Sequence, residues 1–436
     1  MKRSRILIII TCIVIFSVTT AFLIKDEKHI SRKSQRGAIS KGCVFLTLFR
    51  QEADSAFVYS TPVEIISSMD KGLVWLVNAQ QANGGWGAGS HSSQHIMDPH
   101  SVKADPATTA MVGMAIMRSG STLASGKYST LLKKSLMYMI QAVEKSPVNS
   151  SNITSETNTQ IQIKLGANID VILGAQFFSN IMDQLNNDPA LRDRVKNCLN
   201  ICVTKIQKSQ SGNGSFSGSG WAGVLQSSFA NNALESAQKQ GAIVDTSVLE
   251  KSRDFQKGNY NAATGDVRTD MGAGVVLYSV SSSTRASAKE ARKVDEDMAK
   301  AKKEGRISQG APASAENLQK IGYDKTSALK YSTSYNVYQA GKMAAQDEKV
   351  MNGFGSNGGE EFLSYLQTGE SMIINKDNAW KKWYDNTSGT LLSIQNNDGS
   401  WNGHHCITSP VFCTATCLLI LSVNNDVEKL TELGKE

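Results

Sequence analysis

Three short stretches of this sequence share one pattern: an apolar residue, Gln four places on, Asn or Asp before Gly, then an aromatic two places past that Gly. They read Leu76…Gln80-Gln-Ala-Asn83-Gly84-Gly-Trp86, Ile206…Gln210-Ser-Gly-Asn213-Gly214-Ser-Phe216 and Leu391…Gln395-Asn-Asn-Asp398-Gly399-Ser-Trp401. A supersecondary unit that recurs constrains the whole architecture, because each copy must bury its apolar face against the next. The apolar residue and Gln close the last turn of a helix, and Asn-Gly or Asp-Gly supplies the conformation that ends it. The Gln amide can satisfy backbone groups left open at the turn. The aromatic falls where it can pack back onto the helix or a neighbouring copy. Each unit therefore reads as helix, tight turn, helix.

The segments after the first and last copies, Ala107–Met117 and Pro410–Val423, are rich in small and apolar residues and almost uncharged, as buried helices should be. Further apolar helical segments are expected near 128–144, 166–186, 190–208, 219–239, 245–256 and 270–280, then at 332–351, 362–365 and 380–394. Residues 287–306 are a strong helix former with few apolar residues and read as a solvated helix or an insertion. Phe255-Gln256-Lys-Gly-Asn-Tyr260 and Asn352-Gly-Phe-Gly355 read as worn copies of the unit.

The repeats resemble the QW motif (prenyltransferase/squalene oxidase repeat) of squalene–hopene cyclases and protein prenyltransferase β subunits. In the first copy Lys71-Gly72 precedes the motif at that family's spacing. The resemblance implies an all-α fold, an α/α toroid of about six helical hairpins in a ring, over residues 60–425. A charged insertion would occupy about 285–325 and a polar tail 426–436. Fold does not carry activity, and the family's chemical motifs are missing. The cyclases protonate an alkene with an Asp-X-Asp-Asp aspartate; Asp295-Glu-Asp297 is the nearest match and belongs to the charged segment. Aromatic content is 7%, low for a cavity that stabilises carbocations. The prenyltransferase zinc-binding His falls on Cys413 and its Asp-X-Cys ligands fall near Ser332 and Ser334, so that zinc site is not carried over.

Five of the six histidines cluster after two of the motifs: His91, His95 and His100 follow Trp86, and His404, His405 and Cys406 follow Trp401. A ring would bring these two loops together, making Trp86, His95, Trp401, His404, His405 and Cys406 candidate ligand-binding residues. Imidazole and thiolate are zinc ligands. The spacing matches no local zinc signature, so loop histidines that cap helices are the favoured expectation and zinc the alternative. The second candidate is Gly353–Tyr365, where a glycine-rich loop presents Glu360 and Glu361 at a helix start. Acids there are stabilised by the helix dipole; as a catalytic reading, one of them would serve as acid or base. Trp380 and Trp383 read as packing residues.

Lys2, Arg3 and Arg5 precede an apolar run, Ile6–Ile24, long enough to span a bilayer. Residues 1–24 are therefore expected to be a signal anchor or signal peptide and 25–59 a juxtamembrane linker. The basic flank places the rest of the chain on the periplasmic or exterior face, anchored or secreted. Six cysteines follow the run; Cys198/Cys202 and Cys413/Cys417 are spaced four apart on helices, a poor disulfide geometry, so a bridge from Cys406 to a distant cysteine is the favoured expectation, and the sequence leaves the pairing open. Sequons such as Asn152-Ile-Thr154 matter only in a glycosylating host. The net charge of +7 includes the three basic residues of the leader, and no basic block interleaves with aromatics. Nucleic acid is not an expected partner.

The leading functional expectation is a toroid that binds a small molecule or protein in its central cavity, attached to the membrane through its N-terminal helix. The alternative is an enzyme using that cavity, for terpenoid-type transfer or cyclisation or for polysaccharide cleavage; Asn83-Gly-Gly-Trp86 is similar to loops of some pectate lyases. The reactive Cys-Gly-Glu-Gln motif of thioester domains is absent from the sequence, which excludes covalent capture by that route.

Overall fold

The computed structural model describes residues 59–216, 218–353 and 358–434. The apolar run at 6–24, most of the linker and Cys43 lie outside the described residues. The described chain forms sixteen α-helices and no sheet. They are α1 (Val63–Asn78), α2 (Pro106–Arg118), α3 (Ser129–Lys145), α4 (Gln160–Leu165), α5 (Ile169–Ile181), α6 (Pro189–Lys208), α7 (Gly223–Lys239) and α8 (Thr246–Lys257). Then follow α9 (Val276–Lys303), α10 (Ala315–Lys320), α11 (Lys325–Ala344), α12 (Glu348–Met351), α13 (Gly359–Asn375), α14 (Trp380–Ser393), α15 (Pro410–Leu421) and α16 (Val427–Leu433). Helix starts follow local chemistry. Asp105, Asp188 and Ser409 each accept a backbone N–H in the first turn, and each is followed by Pro at the first helical position.

Six helices carry most of the buried surface, and each packs on the next: α2 on α5, α5 on α7, α7 on α9, α9 on α13, α13 on α15, and α15 on α2. Six others flank them. Helix α1 packs on α14 and α15, α3 on α2 and α6, α6 on α5, α8 on α7 and α9, α11 on α9, and α14 on α13 and α15. The buried helices begin at one common end. The Ala107 N–H at the start of α2 donates to Asp170 at the start of α5, 3.1 Å. The Tyr278 hydroxyl of α9 donates to Glu361 of α13, 2.9 Å. The Ile407 N–H just before α15 donates to Glu360, 3.3 Å. Small residues make the close approach feasible; a Cβ on Gly113 would sit 2.5 Å from the Phe177 ring.

The three repeated turns have one geometry. Gly84, Gly214 and Gly399 have φ of 88°, 91° and 94°, the left-handed region that favours glycine. Asn83, Asn213 and Asp398 each accept the N–H two residues on, at 3.0, 3.1 and 3.0 Å. Each Gln amide donates twice. One bond goes to its own turn glycine: Gln80 to Gly84 at 3.0 Å, Gln210 to Gly214 at 3.3 Å, Gln395 to Gly399 at 2.8 Å. The other goes to a carbonyl on the next flanking helix: Leu131 of α3 at 3.1 Å, Val248 of α8 at 2.8 Å, Ser68 of α1 at 3.0 Å. The last copy thus reaches back to the first described helix.

The aromatics are buried without exposure. Trp86 and Trp401 donate their indole N–H to the carbonyls of Leu76 and Leu391, the apolar residues that open their own motifs, at 2.9 and 2.8 Å. Phe216 has no such donor, and the Ser209 hydroxyl bonds the Ile206 carbonyl in its place, 2.7 Å. Lys71-Gly72 serves a different copy from the one it precedes. A Cβ on Gly399 would meet the Lys71 carbonyl at 2.9 Å, and one on Gly72 would meet the Trp401 ring at 2.9 Å.

The charged stretch expected to be solvated is part of α9, and its first half is buried. Glu290 accepts from Lys257 at 3.1 Å and from Ser334 at 2.6 Å, with the side chains of Lys257 and Glu290 nearly inaccessible. Further along, Val294, Met298 and Ala301 pack with Ile307, Ala311, Leu318 and Ala328 into a separate apolar cluster against α10 and α11. Sequence pattern missed this because the partners of Glu290, Lys257 and Ser334, lie 33 and 44 residues away.

Candidate functional site

The two ends of the buried helices hold different things. At the N-terminal end, the loop after Trp86 and the loop after Trp401 meet. Gln94 donates to the Cys406 carbonyl, and the Thr408 hydroxyl donates to the Gln94 carbonyl at 2.7 Å. Gln160, fully buried at the start of α4, locks both loops. Its amide N–H donates to Ala88 at 2.9 Å, and its oxygen accepts the N–H groups of Thr408 and Ser409 at 2.8 and 3.1 Å. Cys406 takes a positive φ of 60° in this junction. No local pattern marks Gln160, since its partners lie 72 and 248 residues away.

Glu360 and Glu361 stand beneath this junction, both buried. Glu361 takes a structural position. It accepts from the Tyr278 hydroxyl at 2.9 Å and, in a capping-box arrangement, from the Gly358 N–H at 3.0 Å. Glu360 accepts from the Ile407 N–H. Burial, reinforced by the Glu361 carboxylate, pushes Glu360 up to about 8, so it holds its proton at neutral pH. Burial, and after it the neighbouring Glu360, push the Cys406 thiol up to about 11, against the pull of Lys164. Cys406 is thus a protonated thiol at neutral pH. Lys164 is itself buried, with its ammonium 4.2 Å from the centre of the exposed Trp221 ring.

A second acid pair sits at the same end. Asp105 accepts from Thr108 and Ala88, and Asp170 from Ala107, Gln162 and Asn152. Burial raises both above the usual carboxylate range, and for Asp105 the neighbouring Asp170 adds to it.

The remaining candidates disperse. His95 and His404 are exposed, His405 is half-buried with its ring beside Gly358, and Trp86 and Trp401 are consumed by their turns. Among the described residues no group of three or more His, Cys, Asp or Glu side chains is arranged to hold a metal ion. The five described cysteines are all free thiols. No single described helix is long and apolar enough to cross a membrane.

The opposite end holds a cavity of about 260 Å³. It is walled by the later turns of α2, α5, α7, α13 and α15, by Arg285 of α9, and by α16. Met111, Met114, Met117, Leu366 and Leu419 supply an apolar surface, while Gln176, Asn232, Arg285 and Glu370 supply polar groups. Helix α16 packs on both α7 and α13 and so bridges this end. Arg118 pins the approach to it. Its guanidinium donates to Asp426 and Glu370, each at 2.6 Å, and to the Leu419 carbonyl at 3.2 Å. Arg292 donates to the Thr431 carbonyl at 2.6 Å. Sequence reading did not single out this site, because methionine and leucine on a buried helix look the same whether they fill a core or line a void. Compared with protein-family models, curated proteins and solved structures, the chain matches none of them.

Proposed function

We propose that the described chain is an α/α toroid of six helical hairpins that binds a small ligand in the cavity at the C-terminal end of its inner helices, without cyclase or prenyltransferase chemistry. The inner helices are α2, α5, α7, α9, α13 and α15, and the flanking six form the outer ring. The reading rests on one observation: a void of about 260 Å³ between helices that otherwise pack tightly, walled by both methionines and polar side chains. Apolar walls with a few polar groups are the usual make-up of a ligand pocket. Methionine adapts its shape to a bound apolar group. The export signal read from residues 1–24 supports a toroid held outside the cytoplasm, on the membrane or released from it.

The test uses the full chain with 13C-labelled methionine methyl groups and 1-octanol as a neutral probe. Saturable shifts of the Met111, Met114 and Met117 signals are expected. Met114→Trp, which fills the void, should abolish them while the unfolding temperature stays within a few degrees. Octanol shifts that do not saturate, or that survive Met114→Trp, would count against the reading.

A second reading is favoured by Glu360. A buried carboxylic acid that keeps its proton near neutral pH is suited to general-acid catalysis. On that reading Glu360→Gln would abolish a turnover that Met114→Trp leaves intact, and any activity should fall as pH rises through about 8.

A further inference from the structure

The two arginines of the cavity wall are satisfied very differently. Arg118 has two carboxylates and a carbonyl around it, with every guanidinium nitrogen engaged. Arg285 is buried, 4% exposed, yet only its Nη1 has an ion-pair partner, Glu235 at 3.3 Å. That carboxylate is already engaged by Arg253, at 2.7 Å from Nη2 and 2.9 Å from Nε. Two guanidiniums share one carboxylate, and Lys289 adds to the same field. Arg285 Nε is buried without a hydrogen-bond partner. On the same wall Asn232 Oδ1 is also buried without a partner. A buried charged donor left unpaired is costly, and a ligand that pairs with it recovers that cost.

Opposite this corner the wall is hydrocarbon and thioether: Met111, Met114, Leu366 and Leu419. The size is restrictive too. At about one water's share of liquid volume (~30 Å³) per carbon-sized group, the void takes roughly nine such groups.

We infer that the ligand of this cavity is a small amphipathic monoanion, with a short apolar chain against the methionines and an acidic head at Arg285 and Asn232. The inference rests on the cavity-binding reading and narrows it to one ligand chemistry. A medium-chain carboxylate is the simplest member of the class. The Asn232 amide can turn its NH2 toward the head. An ammonium brings only donors and a plain hydrocarbon brings no polar group, so either leaves Arg285 Nε unpaired.

The test compares three probes of equal chain length on the full chain, read from the same methionine methyl signals: octanoate, 1-octanol and octylammonium. Octanoate is expected to saturate at a concentration at least 10-fold below the other two, the order of a charge-assisted hydrogen bond. Arg285→Gln should bring octanoate to the level of octanol and leave octanol unchanged. Asn232→Asp, which leaves Arg285 in place, should also remove the preference by setting a carboxylate beside the anionic head. Octanol saturating as readily as octanoate would overturn the monoanion assignment while leaving the cavity reading intact. Octanoate binding undiminished in both variants would overturn the role of Arg285. If none of the three probes saturates, the cavity reading itself fails, and the inference with it.

Discussion

At the N-terminal end of the buried helices, Gln160, Thr408, Glu361 and Asp105 are each held by two or more hydrogen bonds, and the residue types most associated with chemistry are spent on joining the chain to itself. At the C-terminal end, unremarkable methionines and leucines border a void, and one arginine keeps an unpaired donor. The difference teaches that reactive residue types mark where backbone must be tied down as often as where a ligand sits. Asp, Gln and Ser close turns and caps because they mimic backbone groups. A ligand site needs room, which the tied end does not provide around Glu360, 2% exposed.

The contrast can be broken most sharply at the tied end. Trp401→Ala removes a fully buried indole and its bond to Leu391, and is expected to cost about 3–5 kcal/mol in denaturant unfolding. Met117→Ala at the cavity wall removes a side chain that already borders empty space and should cost well under half as much. Equal losses would erase the distinction between a packed end and an open one. Next in size is Gly399→Ala, which places a Cβ at φ 94° and 2.9 Å from the Lys71 carbonyl. A loss of about 1–3 kcal/mol is expected, whereas Gly120→Ala, with φ 96° but open space around it, should lose only the conformational part.

A further break concerns pH. Glu360 is raised from 4.5 to about 8 in the folded chain, so the folded state holds a proton that the unfolded chain releases. Its contribution to stability is complete below pH 4.5 and is lost as pH rises through 8. Urea midpoints of Glu360→Gln should therefore gain on the unmodified protein between pH 5 and 8. Parallel profiles would mean that Glu360 is not the buried acid described here.

Much of this was legible in the sequence where the signal is local. The helix–turn–helix reading of the three motifs is met at Gln80, Gln210 and Gln395, because a Gln four residues before a glycine in the left-handed region can bond only a few atoms. The meeting of the first and last loops was expected and occurs at Gln94, Cys406 and Thr408. The partner of Lys71-Gly72 was not legible, since nothing nearby in sequence distinguishes the turn it precedes from the one it receives. Arg285 and Glu290 looked like solvated charges because a charge reveals burial only through a counter-charge, and Glu235 and Lys257 lie 50 and 33 residues away. The cavity left no trace in hydropathy at all.

The claim underlying the whole account is that the last repeat closes on the first helix. The Ser68 hydroxyl donates to Gln395 Oε1 at 2.8 Å across 327 residues of sequence. A double-mutant cycle of Ser68→Ala and Gln395→Ala measures that contact directly. Closure predicts that the two substitutions couple by about 0.5–1.5 kcal/mol in unfolding free energy. Strictly additive losses would contradict it.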